Sequence, residues 1–127
     1  MKISTSLPAL LLIIAGLFIT PAHAASPAPL AYIPNEKSGS ISIIETTTQK
    51  IVDTIATGGA PRGIVVSPNG KFLYVSDRNT NGLVVIDLAN QKITTRIPLG
   101  ESPEGVSISP DRRWVVAAIE LTNSVTF

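Results

Sequence analysis

The sequence has no cysteine, and its one histidine is His23. Without thiols, these residues form no disulfide, thiolate metal site, cysteine nucleophile or covalent haem link. His23 lies in an N-terminal leader, so the rest of the chain can build neither a Ser-His-Asp triad nor a histidine metal site. No metal and no cofactor is expected from these residues. Aromatic side chains are scarce, with one Trp, two Tyr and three Phe. Neither sign of charge dominates: ten basic residues stand against nine acidic ones, and nine of each remain once Lys2 is set aside with the leader. The basic stripe that nucleic-acid binding needs is missing, and no nucleic-acid partner is expected. Residues 9–19 are the one long apolar run, and they fall short of the roughly 20 residues that span a bilayer.

Residues 1–24 read as a signal peptide. Lys2 supplies the positive start, the 9–19 run the apolar centre, and Ala22-His23-Ala24 a small-x-small site for cleavage after Ala24. Pro8 and Pro21 bracket the run and favour cleavage over an uncleaved anchor. No cysteine sits at the junction to carry a lipid. The expected location is periplasmic or secreted, with no membrane span after signal cleavage. Residues 25–29 form an Ala/Pro/Ser linker.

What is present is a repeat. Sliding the chain by 42 residues aligns Pro61 with Pro103, Gly63 with Gly105, and Ser67-Pro68-Asn69 with Ser109-Pro110-Asp111. Lys71 and Phe72 align with Arg113 and Trp114, Tyr32 with Tyr74, and Asn35 with Asp77. Short β-branched strands repeating every forty-odd residues point to propeller blades. The expected fold is all-β, a β-propeller of four-stranded antiparallel blades occupying 30–127, with repeats at about 30–57, 61–99 and 103–127. Strands are expected at 30–34, 40–45, 50–56, 63–67, 71–76, 83–88, 92–99, 105–109, 113–119 and from 123 onward. The apolar run Ile64-Val65-Val66 predicts an inner strand buried on both faces. Pro68-Asn69-Gly70 predicts a hairpin turn with Gly at positive φ, and Asn81-Gly82 a second tight turn. Ile93, Thr95 and Ile97 alternate with Thr94, Arg96 and Pro98, as in an outer edge strand. Trp114 is expected at the core position of Phe72.

Nothing before residue 30 resembles the 63–67 strand, so the first blade is expected to lack its innermost strand, which a distant C-terminal segment would supply. A closed propeller has about four to eight blades, and the repeats fill just over two. The chain is therefore expected to be an N-terminal fragment of a propeller. By itself it should be marginally folded or aggregation-prone, because blade faces and edges stay open.

The repeat resembles the YVTN β-propeller family. Leu73-Tyr74-Val75-Ser76-Asp77 matches its name-giving stretch, and Ala31-Tyr32-Ile33-Pro34-Asn35 matches it more loosely. The Pro-x-Gly pairs and the Ser-Pro-[Asn/Asp] turns match as well, whereas Val116 departs from the tyrosine in the third copy. More narrowly, Ala31-Tyr32-Ile33-Pro34-Asn35-Glu36 and Ser102-Pro103-Glu104-Gly105-Val106 resemble a periplasmic subgroup associated with PQQ-dependent alcohol catabolism. That resemblance implies a seven-bladed ring with an accessory or binding role. It implies no quinone site here, since the tryptophan-rich motif of quinoprotein dehydrogenases is missing.

In an up-and-down blade, the loop before the first strand and the loop after the second share one face. Arg62 and Glu104 occupy one repeat position there, and Glu36, Arg78 and Glu120 another. Arg62, Asp77, Arg78, Glu104 and Glu120 are the candidate residues for a protein partner or small ligand at the channel face. Against this stands the ordinary alternative of solvated loop charges. For Asp77 and Asn35 the alternative is capping of turn amides, and for Asp87 and Glu45 turn stabilisation. For Tyr32 and Tyr74 it is packing, with a hydrogen-bonded hydroxyl. The Gly58–Gly63 stretch leads into a strand, without the Lys-Ser/Thr and helix N-terminus of a phosphate loop. The function expected is a non-enzymatic binding or interaction platform. The alternatives are a lactonase- or oxidoreductase-type propeller enzyme with its catalytic residues in other blades, and a surface or adhesion repeat protein.

Overall fold

The computed structural model describes residues 28–127; the expected signal peptide and residues 25–27 of the expected linker lie outside the described residues. Among the described residues, ten strands form three antiparallel sheets. The first contains β1 (Leu30–Asn35), β2 (Ser40–Glu45) and β3 (Lys50–Ala56). The second is a complete four-stranded blade: β4 (Pro61–Val66), β5 (Phe72–Asp77), β6 (Gly82–Asp87) and β7 (Lys92–Pro98). The third contains β8 (Pro103–Ile108), β9 (Val115–Ile119) and β10 (Ser124–Thr126). Strand order within each sheet is sequential. β4 lies against β1 of the preceding sheet and β8 of the following one. This is the all-β blade arrangement expected from the repeat, with strand ends displaced by one or two residues.

The Ser-Pro-[Asn/Asp] motif has a local explanation. Ser67 Oγ donates to Asn69 Oδ1 (2.7 Å), and the same carboxamide oxygen accepts from the Lys71 amide (3.1 Å). The Phe72 amide then donates to Ser67 Oγ (2.9 Å). Ser109, Asp111, Arg113 and Trp114 reproduce every bond of this set. A Ser side chain and an Asx oxygen two residues on thus satisfy the amides of a turn that would otherwise be exposed. Gly70 takes φ +69° as expected, and Arg112 adopts φ 62° at the same place in the third copy.

The core lies between the first two blades. Ile41, Ile43 and Ile55 pack against Leu73, Val75, Val84 and Ile86, all buried. Burial differs from the expectation in one respect. The strand buried along its whole apolar run is β6, not β4: Leu83 to Ile86 are all buried, whereas Ile64 and Val65 are half-buried and Val66 is 38 % exposed. β6 is flanked by β5 and β7 within its own sheet, while β4 is the inner edge of the blade. Trp114 is not a core residue either. It precedes β9, is 48 % exposed, and meets Phe127 edge-on at 5.6 Å. Phe72, its counterpart, is itself only half-buried.

Each sheet carries a β-bulge. Val52 and Thr94 are extra residues at equivalent points of β3 and β7, and Thr94 interrupts the alternation expected there. Arg62 and Gly63 of β4 together oppose Ser76, and Glu104 and Gly105 of β8 together oppose Ala118.

Candidate functional site

The inner-strand bulges set the site. A bulge inserts one residue into a strand and re-aims its side chains. Here it does so at the Pro-x-Gly element, and the re-aimed residues are Arg62 and Glu104. The glycine that follows Arg62 permits close blade contact. A Cβ on Gly63 would stand 2.2 Å from the Glu104 carbonyl oxygen and 2.6 Å from the Val106 nitrogen. Ser76 spans the same seam. Its Oγ accepts from the Gly63 amide (2.7 Å) and donates to the Glu104 carbonyl.

Arg62 is the centre of a charge network that crosses all three sheets. Its guanidinium is paired with Glu104, and stands 3.5 Å from Glu36 and 4.0 Å from Glu120. Arg78 Nη1 is 3.8 Å from Glu36. Glu120 Oε2 also accepts from Ser102 Oγ (3.0 Å). Arg62 and Glu104 are the more covered pair, with side chains 28 % and 29 % exposed. Pro34, Glu36, Pro61, Arg62, Gly63, Glu104 and Gly105 line a cleft of about 350 Å³ between the inner strands.

Four of the five candidates, Arg62, Arg78, Glu104 and Glu120, therefore meet in one network. Glu36, noted in the sequence as a repeat partner, completes it. Asp77 is not part of it. Its side chain is fully buried, and Oδ1 accepts amide hydrogens from Ala60 (3.1 Å), Asn79 (3.0 Å) and Thr80 (3.2 Å). Oδ2 faces Gly59 and lies 3.7 Å from Arg96 Nη1. Asp77 holds the loop that leads into β4 and the loop that carries Arg78, and presents no oxygen to the cleft. Asn35, its repeat counterpart, makes no amide cap; its Nδ2 donates to Ser42 Oγ (2.9 Å). Asp87 Oδ1 accepts from the Ala89 amide, and Thr48 Oγ1 donates to Glu45, both turn bonds. The hydrogen bond expected for each tyrosine hydroxyl is absent: neither Tyr32 nor Tyr74 has a partner among the described residues.

Arg96 is a residue that sequence reasoning missed. It reaches from the outer strand to Asp77 and donates through Nη2 to the Thr57 carbonyl (2.9 Å). Its alternating position on an edge strand concealed this inward reach. Chemically, the network offers guanidinium donors and carboxylate acceptors on one rim, with one carboxylate in excess. Among the described residues, no three His, Cys, Asp or Glu side chains converge as metal ligands. No helix of the described residues is long and apolar enough to cross a membrane.

Residues 23–112 match the family model of YNCE-like β-propellers. The chain belongs to that family. Solved structures similar to this YNCE-like chain have the propeller fold. Hydrazine synthase of Kuenenia stuttgartiensis is 24 % identical, with a TM-score of 0.63 over 76 % of this chain and 31 % of its own. A candidate 6-phosphogluconolactonase of Bacteroides fragilis is 25 % identical, with a TM-score of 0.63 over 76 % of this chain and 30 % of its own. Dihydro-heme d1 dehydrogenase NirN is 22 % identical, with a TM-score of 0.63 over 83 % of this chain and 23 % of its own. The chain thus spans only 23–31 % of the length of these structures. Among curated proteins, no sequence matches it significantly.

Proposed function

We propose that this chain is part of a periplasmic propeller whose channel face docks a protein partner or a polar ligand without chemical turnover. The observation that carries this reading is the charge network. Arg62 of the second sheet draws Glu36 of the first and Glu104 and Glu120 of the third together around a cleft, with Arg78 on the rim. Charged groups arranged this way steer and orient a partner more than they add to affinity. The network offers no paired acid and base with which to move protons. The leader expected over residues 1–24 supports a periplasmic or secreted location, which N-terminal mass spectrometry tests by finding a mature chain that begins at Ala25. The resemblance to the subgroup associated with alcohol catabolism makes a PQQ-dependent alcohol dehydrogenase of the source organism the first partner to test.

The experiment passes that purified dehydrogenase over immobilised chain at low and raised salt. Saturable binding should weaken with salt and fall roughly tenfold or more in Arg62→Ala and Arg78→Ala, which corresponds to about 1.4 kcal/mol. Absence of binding, or binding indifferent to both substitutions, overturns the reading. The likeness to a candidate 6-phosphogluconolactonase supports a second reading, lactone hydrolysis at the same cleft. Turnover of 6-phosphogluconolactone that disappears in Arg62→Ala would select it over docking.

A further inference from the structure

The face opposite the charge network holds a second recess, of about 530 Å³, between the first two sheets. Strands alternate in direction, so the turns after β4 and β6 lie at the far ends from Arg62 and Arg78. Register decides which side chains enter the recess. Leu73 and Ile86, paired across β5 and β6, point into the core shared with the first sheet. Successive side chains of a strand alternate between faces, so the next pair, Phe72 and Asp87, turns towards the third sheet and gives the recess only main chain. The Leu88 amide donates to the Lys71 carbonyl (2.9 Å), which carries the ladder one pair further. Lys71 and Leu88 thus return to the face of Leu73 and Ile86, across from Tyr32 of β1. Tyr32 and Leu88 pack against the buried core and form an apolar floor.

The side-chain groups left over there are donors. The amides of Gly70, Lys71, Phe72, Leu88 and Ala89 are all spent on acceptors of the second sheet and its turns. Among the described residues, Lys71 has no carboxylate within ion-pair distance, and the Tyr32 hydroxyl has no partner. Glu45 shares the face of Tyr32 but does not line the recess, and its Oε2 accepts from Thr48 Oγ1 (2.6 Å). An ammonium and a phenolic hydroxyl above an apolar floor suit one carboxylate, with an oxygen for each donor. A phosphate dianion would bring a second charge with no second cation to meet it. A plain hydrocarbon would leave both donors unmatched, and a cation would face Lys71. A volume within about 300–1,000 Å³, a mostly apolar lining and a few polar groups describe a small-molecule site.

We propose that this recess binds a small monocarboxylate with an apolar body, an aryl or branched aliphatic acid. The body lies on Tyr32 and Leu88, one carboxylate oxygen meets the Lys71 ammonium, and the other accepts from the Tyr32 hydroxyl. A hydrogen bond between charged groups is roughly twice as strong as one between neutral groups, so Lys71 contributes most of the selection. Gly70 leaves the mouth open: a Cβ there would have no atom within 4 Å. The repeat aligns the same donor types, Tyr74 and Arg113, at the next seam, so the pairing belongs to the repeat and not to one loop. The two clefts share no residue, and the channel-face reading stands or falls separately.

The test titrates the full chain with 3-phenylpropionate, followed by calorimetry and by amide chemical shifts. 3-Phenylpropanamide keeps the body and lacks the charge, and propionate keeps the charge and lacks the body. Saturable binding of 3-phenylpropionate is expected, with shifts concentrated at Tyr32 and residues 70–72 and 87–89. Each comparison probe should bind roughly tenfold more weakly or worse, a factor equal to about 1.4 kcal/mol. Lys71→Met should weaken binding by a similar factor, Lys71→Arg should restore it, and Tyr32→Phe should weaken it roughly fivefold, as loss of one neutral hydrogen bond does. Lys37→Met, in the turn between β1 and β2 at the channel-face end, should leave it unchanged. No saturable binding overturns the proposal. So does equal binding of 3-phenylpropanamide, affinity unchanged in folded Lys71→Met, or an equal loss in Lys37→Met.

Discussion

Asp77 Oδ1 accepts hydrogen bonds from amides on two separate loops, Ala60 on one and Asn79 and Thr80 on the other. Removing a buried acceptor strands its donors, which costs more than the bonds themselves contribute. Asp77→Ala should therefore destabilise the chain by about 3 kcal/mol in urea denaturation. Asp77→Asn, which keeps one acceptor oxygen, should cost clearly less. Turn capping by Asp77 was legible from its place between a strand and a polar loop. Its complete burial was not, because that depends on Gly59 and Arg96 arriving from elsewhere in the chain. Asp53 gives a pH prediction at the same scale. The Gln91 side chain, reaching over from the second sheet, and then the Thr54 amide hold its carboxyl below the ordinary 3.8. A depressed carboxyl contributes stability above its unfolded pKa and loses it as pH falls through the folded value. Gln91→Ala should raise the Asp53 titration towards 3.8, as followed by carboxyl NMR shifts.

At the scale of elements, the strands were legible because apolar runs and turn residues recur with the 42-residue repeat. The bulges were not. A bulge changes register against a neighbour, and the single-strand pattern of β4 reads the same with or without it. This is why the sequence placed Arg62 in a loop, whereas the structure places it in the bulged start of β4, turned towards Glu104. The repeat supplies its own controlled comparison. Gly63→Ala drives a methyl against the Glu104 carbonyl and the Val106 nitrogen and should cost about 2–3 kcal/mol, the range for overpacking a close contact. Gly105→Ala, at the equivalent bulge, meets no atom within 4 Å and should be neutral or stabilising by about 0.5 kcal/mol. Paired thermal melts of the two variants check the contrast.

Across the whole molecule, apolar burial is uneven. The shared core joins the first and second sheets, while the third leaves Trp114, Leu121, Val125 and Phe127 largely in contact with solvent, Phe127 at 77 % exposed. Exposed apolar side chains, with Trp114 and Phe127 in contact, favour association. The chain alone should self-associate with rising concentration in sedimentation velocity, and Val125→Thr with Phe127→Ser should shift it towards monomer. A soluble monomer with a sharp cooperative melt would contradict this. The repeat made the blades visible but left these faces unread, since a strand pattern says which residues point out of a sheet and not what covers them. The same bulge position carries a cation in the second sheet and an anion in the third, and each partner group comes from a neighbouring sheet. Near-identical units are therefore not interchangeable. Two copies of the second sheet side by side would set guanidinium against guanidinium. The charges number the blades, giving a repetitive chain a way to reject its own repeats in the wrong order.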